Sequence, residues 1–166
     1  MKDAAYEYRT GIGTDIHRLV PDRPLILGGV QIPYELGLLG HSDADAALHA
    51  VIDALLGAAG LGDIGTFFPD TDPQWKDADS SELTMRVREQ IQTHHWEVVN
   101  ADLVIHVERP RLGPYKGQMR RAVAGLLETD FANVNVKAKT GEGLGPVGLG
   151  QAIETTAIVL LRRPVK

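Results

Sequence analysis

The sequence predicts a mixed fold, α+β or α/β. Three observations lead there. Short apolar or alternating runs suited to strands occur near residues 7–13, 96–107 and 152–161. A helical stripe of Ala44, Ala47, Leu48, Val51, Ile52, Leu55, Leu56 and Ala59 recurs at i, i+3, i+4 and i+7. The strand-like and helix-like stretches alternate along the chain.

A frayed tail over residues 1–8 is expected to grade into a first strand over 7–13 that leads to Asp15. Leu25 to Pro33 reads as a short strand or hairpin arm, interrupted by Gly28 and Gly29. Leu36 to Gly40 reads as a loop. Ser42 is the expected N-cap of the long helix, with Asp45 returning a bond to it three residues later. Gly60 and Gly62 end that helix. Residues 61–78 hold too many Gly, Pro and Asp for a long helix or central strand, and loops of this kind are often functional. Asp79 with Glu82 signals a second helix start, and Leu83, Val87 and Ile91 carry it to about Thr93. Trp96 to Val107 reads as a strand. Pro114 suits the first turn of a helix whose inner face is Met119, Ala122, Val123, Leu126 and Leu127. Val134 and Val136 alternate with polar residues as in a half-buried strand. Residues 141–150, with five glycines, read as a flexible loop, and Ala152 to Leu161 as a last buried strand.

The 166 residues are expected to form one domain over 1–166, long enough for a real core. Hydrophobic residues make up 43% and charged residues 23%, as in ordinary globular chains. The formal net charge of -5 argues against nucleic acid as a partner. The first residues lack the apolar core of a signal peptide, and no apolar run approaches the ~20 residues of a membrane span. A cytoplasmic protein with no membrane partner is the expectation. With no cysteine, zinc would have to be held by His, Asp or Glu.

Asp15 and His17 are two apart, so an extended strand turns both to one side. His49 falls on the long helix. One carboxylate and two imidazoles from separate elements can make a three-ligand zinc site with an open position, which favours chemistry over a structural staple. The plainer readings stand beside this one: an Asp-X-His surface pair, and a solvent-facing helix histidine. Asp45, one turn before His49, is placed to orient that imidazole from behind. His41 and Ser42 precede a helix N-terminus, where free N–H groups attract anions. The glycines at 141–150 suit a phosphate cradle but match no nucleotide fingerprint.

Taken together, Asp15-Ile16-His17, the run from Gly40 to Ala50, Asp53 to Ala59, Leu61 to Gly65, Phe67 to Pro73, Val134 to Ala138, and Thr140, Glu142 and Gly145 resemble the 2-C-methyl-D-erythritol 2,4-cyclodiphosphate synthases. The resemblance runs from Gly11 to Leu161. It implies a chorismate-mutase-like cyclodiphosphate-synthase fold: a small mixed β-sheet with helices packed on one face, assembled as a homotrimer with sites at the subunit junctions. The implied reaction is intramolecular: a 2-phosphate attacks the β-phosphorus of a diphosphocytidyl substrate and releases CMP.

By the same resemblance Asp15, His17 and His49 hold Zn2+. Glu142 holds a second ion, Mg2+ or Mn2+, bridging the α- and β-phosphates. His41 and Thr140 steady the transition state, and Ser42 contacts the attacking phosphate. Asp63, Ile64 and Gly65 hold the erythritol hydroxyls. Phe68, Pro69, Asp70, Thr71 and Asp72, with Lys76, close over the substrate. Val107, Glu108, Arg109, Pro110, Arg111, Leu112 and Gly113 bracket the cytosine, and Lys139 and Gly141 adjoin Thr140 at the phosphates.

Three positions depart from the family pattern. Lys139 stands for Thr, Pro146 for an aromatic and Leu149 for Arg. The lost cation predicts weak binding of isoprenoid diphosphates in the trimer's central cavity, and Lys139 is expected to compensate in part at the active site. Two other readings are a metal-dependent hydrolase of a nucleotide-linked sugar phosphate and a non-catalytic module that uses zinc for structure.

Overall fold

The computed structural model describes residues 5–165. In chain order the elements are β1 (Tyr6–Pro21), the hairpin strands β2 (Leu25–Leu27) and β3 (Val30–Ile32), β4 (Leu36–Leu38), α1 (Ala46–Ala59), α2 (Ile64–Phe67), α3 (Ser80–Thr93), β5 (Glu97–His106), α4 (Lys116–Leu127), β6 (Val134–Lys139), α5 (Gly145–Gly148) and β7 (Ala152–Pro164). Single 3-10 turns occupy Pro73–Trp75, Gly113–Tyr115 and Phe131–Asn133. Five strands form one sheet in the order β4-β1-β7-β5-β6, and β2 and β3 form a separate ribbon. All pairs are antiparallel except β5 with β6, which α4 connects as a crossover helix. No helix among the described residues is long and apolar enough to cross a membrane.

The sheet is mixed and carries helices, as expected, but several local readings need correction. The expected tail over 1–8 does not extend to Tyr6, Glu7 and Tyr8, which pair with Pro164, Arg163 and Arg162; residues 1–4 lie outside the described ones. Leu36–Leu38 is a strand, paired to Leu19–Pro21, rather than a loop. Residues 61–78 hold no long helix or strand, as expected, only the four-residue α2 and a 3-10 turn, whereas residues 141–150, expected as a loop, contain α5. Ser42 does not cap α1. Ala44 takes a left-handed conformation (φ 58°), which delays the helix, and Asp45 is the N-cap, accepting from Ala47 and Leu48 N–H.

The helical stripe of α1 is the centre of the core. Leu48, Val51, Ile52, Leu55 and Leu56 are fully buried, each worth about 1.5–3 kcal/mol by removal from water. On β1, odd positions face α1 and even positions face away. Gly11 and Gly13 meet the helix backbone directly: a Cβ on Gly11 would come within 2.6 Å of Ala58 N, and one on Gly13 within 2.7 Å of Ala54 N. The missing side chains let α1 lie flat on β1, and the next two odd positions are Asp15 and His17. On the opposite face Tyr8, Ile12, Ile16 and Ile158 remain exposed.

Candidate active site

Asp15 Oδ2, His17 Nε2 and His49 Nδ1 converge. Asp15 lies 2.9 Å from His17 and 3.0 Å from His49, and the two imidazole nitrogens are 3.3 Å apart. Strand alternation puts the first two on the α1 side, and the glycine contact brings His49 down onto them. Ligands of a tetrahedral zinc with bonds near ~2.05 Å are separated by ~3.3 Å, so the donor set fits one such ion with a position to spare. The chemistry of the donors fits as well. Burial raises the Asp15 carboxyl, but hydrogen bonds from His17 and His49 outweigh it and lower it to about 2. Burial lowers His17, and its bond to Asp15 outweighs that and raises it.

The far sides of both rings are held. His17 Nδ1 donates to Leu39 O at 2.7 Å, which leaves its Nε2 lone pair for a metal. His49 Nε2 faces Ser80 Oγ at 2.9 Å and Ser42 Oγ at 3.1 Å. Asp45 does not orient His49, contrary to the expectation from its spacing. Its fully buried carboxylate turns the other way and accepts from Gly28, Gly29, Ala47 and Leu48 N–H at 2.7–3.0 Å. Burial pushes its pKa up against the bonds from Gly29, Leu48 and Gly28. Asp45 thus pins the turn of the β2–β3 hairpin to the start of α1.

The triad opens onto a cleft of about 420 Å³ lined also by His41, Ser42, Ile64, Gly65, Phe68, Pro69 and Asp70. Arg23 braces one wall, donating to Ser42 O at 2.7 Å and Gly40 O at 3.5 Å. Asp53, on α1, accepts from Ile64 N at 2.8 Å and fixes the opposite wall. Asp63 caps α2 through Thr66 N and also accepts from the Thr66 hydroxyl; the hydroxyl bond first and the backbone bond second lower its pKa. Phe68 stacks edge-on against Trp75, 4.9 Å between ring centres. Further along that loop Asp72 caps the 3-10 turn ahead of Lys76, and Thr71 precedes it.

The other expected residues gather elsewhere. Glu108, Arg109, Pro110, Arg111 and Thr140 line a second cleft of about 400 Å³, joined there by Tyr34. Gly141 N donates to Glu108 at 3.1 Å, and Thr140 Oγ1 donates to Glu142. Val107 and Leu112 are buried, Gly113 opens a 3-10 turn, and the Lys139 carbonyl accepts from Val107 N at 2.8 Å. No residue lines both clefts. Sequence reasoning missed Arg23, Tyr34, Ser80 and Trp75; none sits in a spacing that announces a site. A larger cleft, about 740 Å³, is lined by Glu7, Trp96 and Arg163 and by none of these site residues, and its Glu7 and Arg163 are paired with each other.

Known proteins resemble this chain in sequence and in fold. The YgbB family model matches residues 8–162. A 2-C-methyl-D-erythritol 2,4-cyclodiphosphate synthase of Geobacillus kaustophilus is 55% identical over 94% of this chain and 99% of its own. One from a Nostoc species is 56% identical over 92% of this chain and 93% of its own. A solved 2C-methyl-D-erythritol-2,4-cyclodiphosphate synthase in a CDP-bound form superposes with a TM-score of 0.85 at 40% identity, covering 92% of this chain and 99% of that one. The bifunctional IspDF of Campylobacter jejuni gives a TM-score of 0.92 at 40% identity, covering 96% of this chain and 43% of that one. By sequence over nearly its whole length, and by fold, this chain belongs to the YgbB family, that of the 2-C-methyl-D-erythritol 2,4-cyclodiphosphate synthases.

Proposed function

We propose that this chain converts 4-diphosphocytidyl-2-C-methyl-D-erythritol 2-phosphate into 2-C-methyl-D-erythritol 2,4-cyclodiphosphate and CMP, a step of non-mevalonate isoprenoid biosynthesis. The observation that carries this is the convergence of Asp15, His17 and His49 at the mouth of a cleft walled by His41, Ser42, Ile64, Gly65 and Phe68. In the reaction an oxygen of the 2-phosphate bonds to the β-phosphorus. The bond from that phosphorus to the α-phosphate oxygen breaks, and CMP leaves with the electron pair. No water or outside nucleophile takes part, so the work is positioning and charge compensation.

Asp15, His17 and His49 would hold Zn2+, which would supply Lewis acidity toward the phosphates. Ser42 donates its hydroxyl proton to the attacking phosphate, and His41 at the rim stabilises the five-coordinate phosphorus together with Thr140. Asp63 and the backbone of Ile64 and Gly65 take the erythritol hydroxyls. Phe68 to Asp72, with Lys76, shield the cleft from water. Glu142 would hold Mg2+ or Mn2+, which would supply charge compensation for the diphosphate, a lone carboxylate being suited to an ion that keeps most of its waters. Residues 107–113 bracket the cytosine through backbone groups, and Lys139 and Gly141 adjoin the phosphates.

We further propose a homotrimer in which one subunit's metal-side cleft meets its neighbour's nucleotide-side cleft. Two findings support it: the separation of the two clefts within one chain, and the uncovered sheet face with exposed Ile12, Ile16 and Ile158. Phosphorus NMR of the purified protein with the diphosphocytidyl substrate tests the activity. The cyclic diphosphate and CMP are expected, abolished by chelator and restored by zinc. A ring-opened monophosphate would make the protein a hydrolase, and tight zinc binding without turnover would make it a binding module.

A further inference from the structure

The groups that hold His49 in place form a chain of their own. Its Nε2 lies 2.9 Å from Ser80 Oγ. Ser80 is fully buried and opens α3. The Ser80 hydroxyl donates to Asp43 Oδ1, and its backbone N–H donates to Asp43 Oδ2 at 3.0 Å. Asp45 N–H also donates to Asp43, at 3.2 Å. A hydroxyl has one proton to give. With that proton on Asp43, Ser80 Oγ meets His49 Nε2 only as an acceptor, so the ring proton sits on Nε2. A metal ion therefore takes the lone pair on Nδ1, displacing the proton that this atom gives Asp15 in the metal-free protein, and Nδ1 is the atom beside Asp15 and His17. The other tautomer would set two lone pairs against each other at Ser80. Ser42 Oγ, 3.1 Å from Nε2, accepts from Ala44 N–H at 3.2 Å and keeps its own proton for the cleft.

We propose that Ser80 and Asp43 are positioning residues that fix the tautomer and ring angle of His49 for metal binding, and thereby tie the substrate loop to the metal centre. The tie is in the backbone. Asp43 N donates to Ala78 O at 3.1 Å, and Asp77 N donates to His41 O at 2.8 Å. The base of the loop that begins at Phe68 is therefore fastened to the segment carrying His41, Ser42 and Asp43, and Ser80 follows two residues later. Movement at that base moves the oxygen that holds His49. The inference rests on the metal reading above and assigns two residues to it that touch neither ion nor substrate.

The test measures zinc affinity of the full chain by chelator competition, for the native protein, Ser80→Ala and Asp43→Asn, with nitrogen-15 NMR of the His49 ring. Native protein is expected to bind zinc through His49 Nδ1, with a slowly exchanging proton on Nε2. Both variants should bind zinc about 10–100-fold more weakly and lose that proton's protection. Asp43→Asn is the sharper change because it keeps the shape and can reverse the chain: its amide can donate to Ser80 Oγ, whose proton then turns to His49. If native protein binds no zinc, the metal reading itself fails. If native protein binds zinc and both variants match it, or if native His49 is ligated through Nε2, only the positioning role is overturned. The native tautomer measurement decides the matter even where a variant does not fold.

Discussion

Gly13→Ala tests whether α1 must lie directly on β1 for the metal centre to exist. A Cβ at Gly13 would lie 2.7 Å from Ala54 N and 2.8 Å from Asp53 Cβ, with Ala50 O nearer still. Ordinary contacts need roughly 3.5–4 Å, so α1 must lift by about 1.5 Å to clear Ala50 O. His49, one residue before Ala50, rides on that helix, while Asp15 and His17 stay with the strand. Metal sites tolerate displacements of only ~0.2 Å. The expected result is a loss of stability of about 3 kcal/mol, the upper end of typical overpacking. Zinc affinity should fall at least ~100-fold, about 2.7 kcal/mol. Zinc content after dialysis, measured by atomic emission, and urea unfolding read the two effects separately. Gly125→Ala is the control: it sits on α4 with nothing within 4 Å of the added carbon, and should be neutral or gain up to ~1 kcal/mol. If Gly13→Ala kept one zinc per chain at native affinity, the argument from close packing to metal geometry would be refuted.

His17→Ala should abolish both stoichiometric zinc and turnover, read by metal analysis and phosphorus NMR. The metal-free Asp15–His17 pair sets a pH window. Asp15, lowered from 3.8 to about 2, stabilises the fold above 3.8 and loses this as pH falls through 2; His17, raised from 6.5, stabilises below 6.5 and loses it as pH climbs through its raised value. Zinc must displace the His17 proton, so its affinity should rise with pH across that range with net proton release, which calorimetry in buffers of different ionisation enthalpy detects. Asp45→Ala orphans four N–H groups and should cost about 3–5 kcal/mol, read by thermal unfolding, while zinc content at saturating metal stays native. Ile158→Glu places a charge on the uncovered sheet face and should shift sedimentation from the proposed trimer to monomer without unfolding the subunit.

Periodicity made much of this legible. The i, i+4 stripe of α1 and the two-residue spacing of Asp15 and His17 both describe geometry that a single element enforces. What spacing could not show is convergence, which depends on Gly11 and Gly13 giving up their side chains to a helix some forty residues away. The expectation for Asp45 fails for a related reason. Its distance of one turn from His49 is real, but the left-handed Ala44 rotates the chain so that the carboxylate points at the Gly28–Gly29 turn. Ser80 gave no signal because a serine after an N-cap aspartate is unremarkable until Asp43 is beside it. The three-residue strand Leu36–Leu38 is too short for any alternation to register.

The pairing of Tyr6–Arg18 with Ala152–Pro164 joins segments some 135–160 residues apart. During synthesis, at ~5–20 residues per second, β1 waits on the order of 10 s for its central partner to leave the ribosome. Until then the apolar side chains Ile12 and Ile16 project from an unpaired edge, a template for intermolecular pairing. Nascent chains of this topology are thus natural clients for holdase chaperones, and stalled or truncated products lacking β7 are expected in the insoluble fraction.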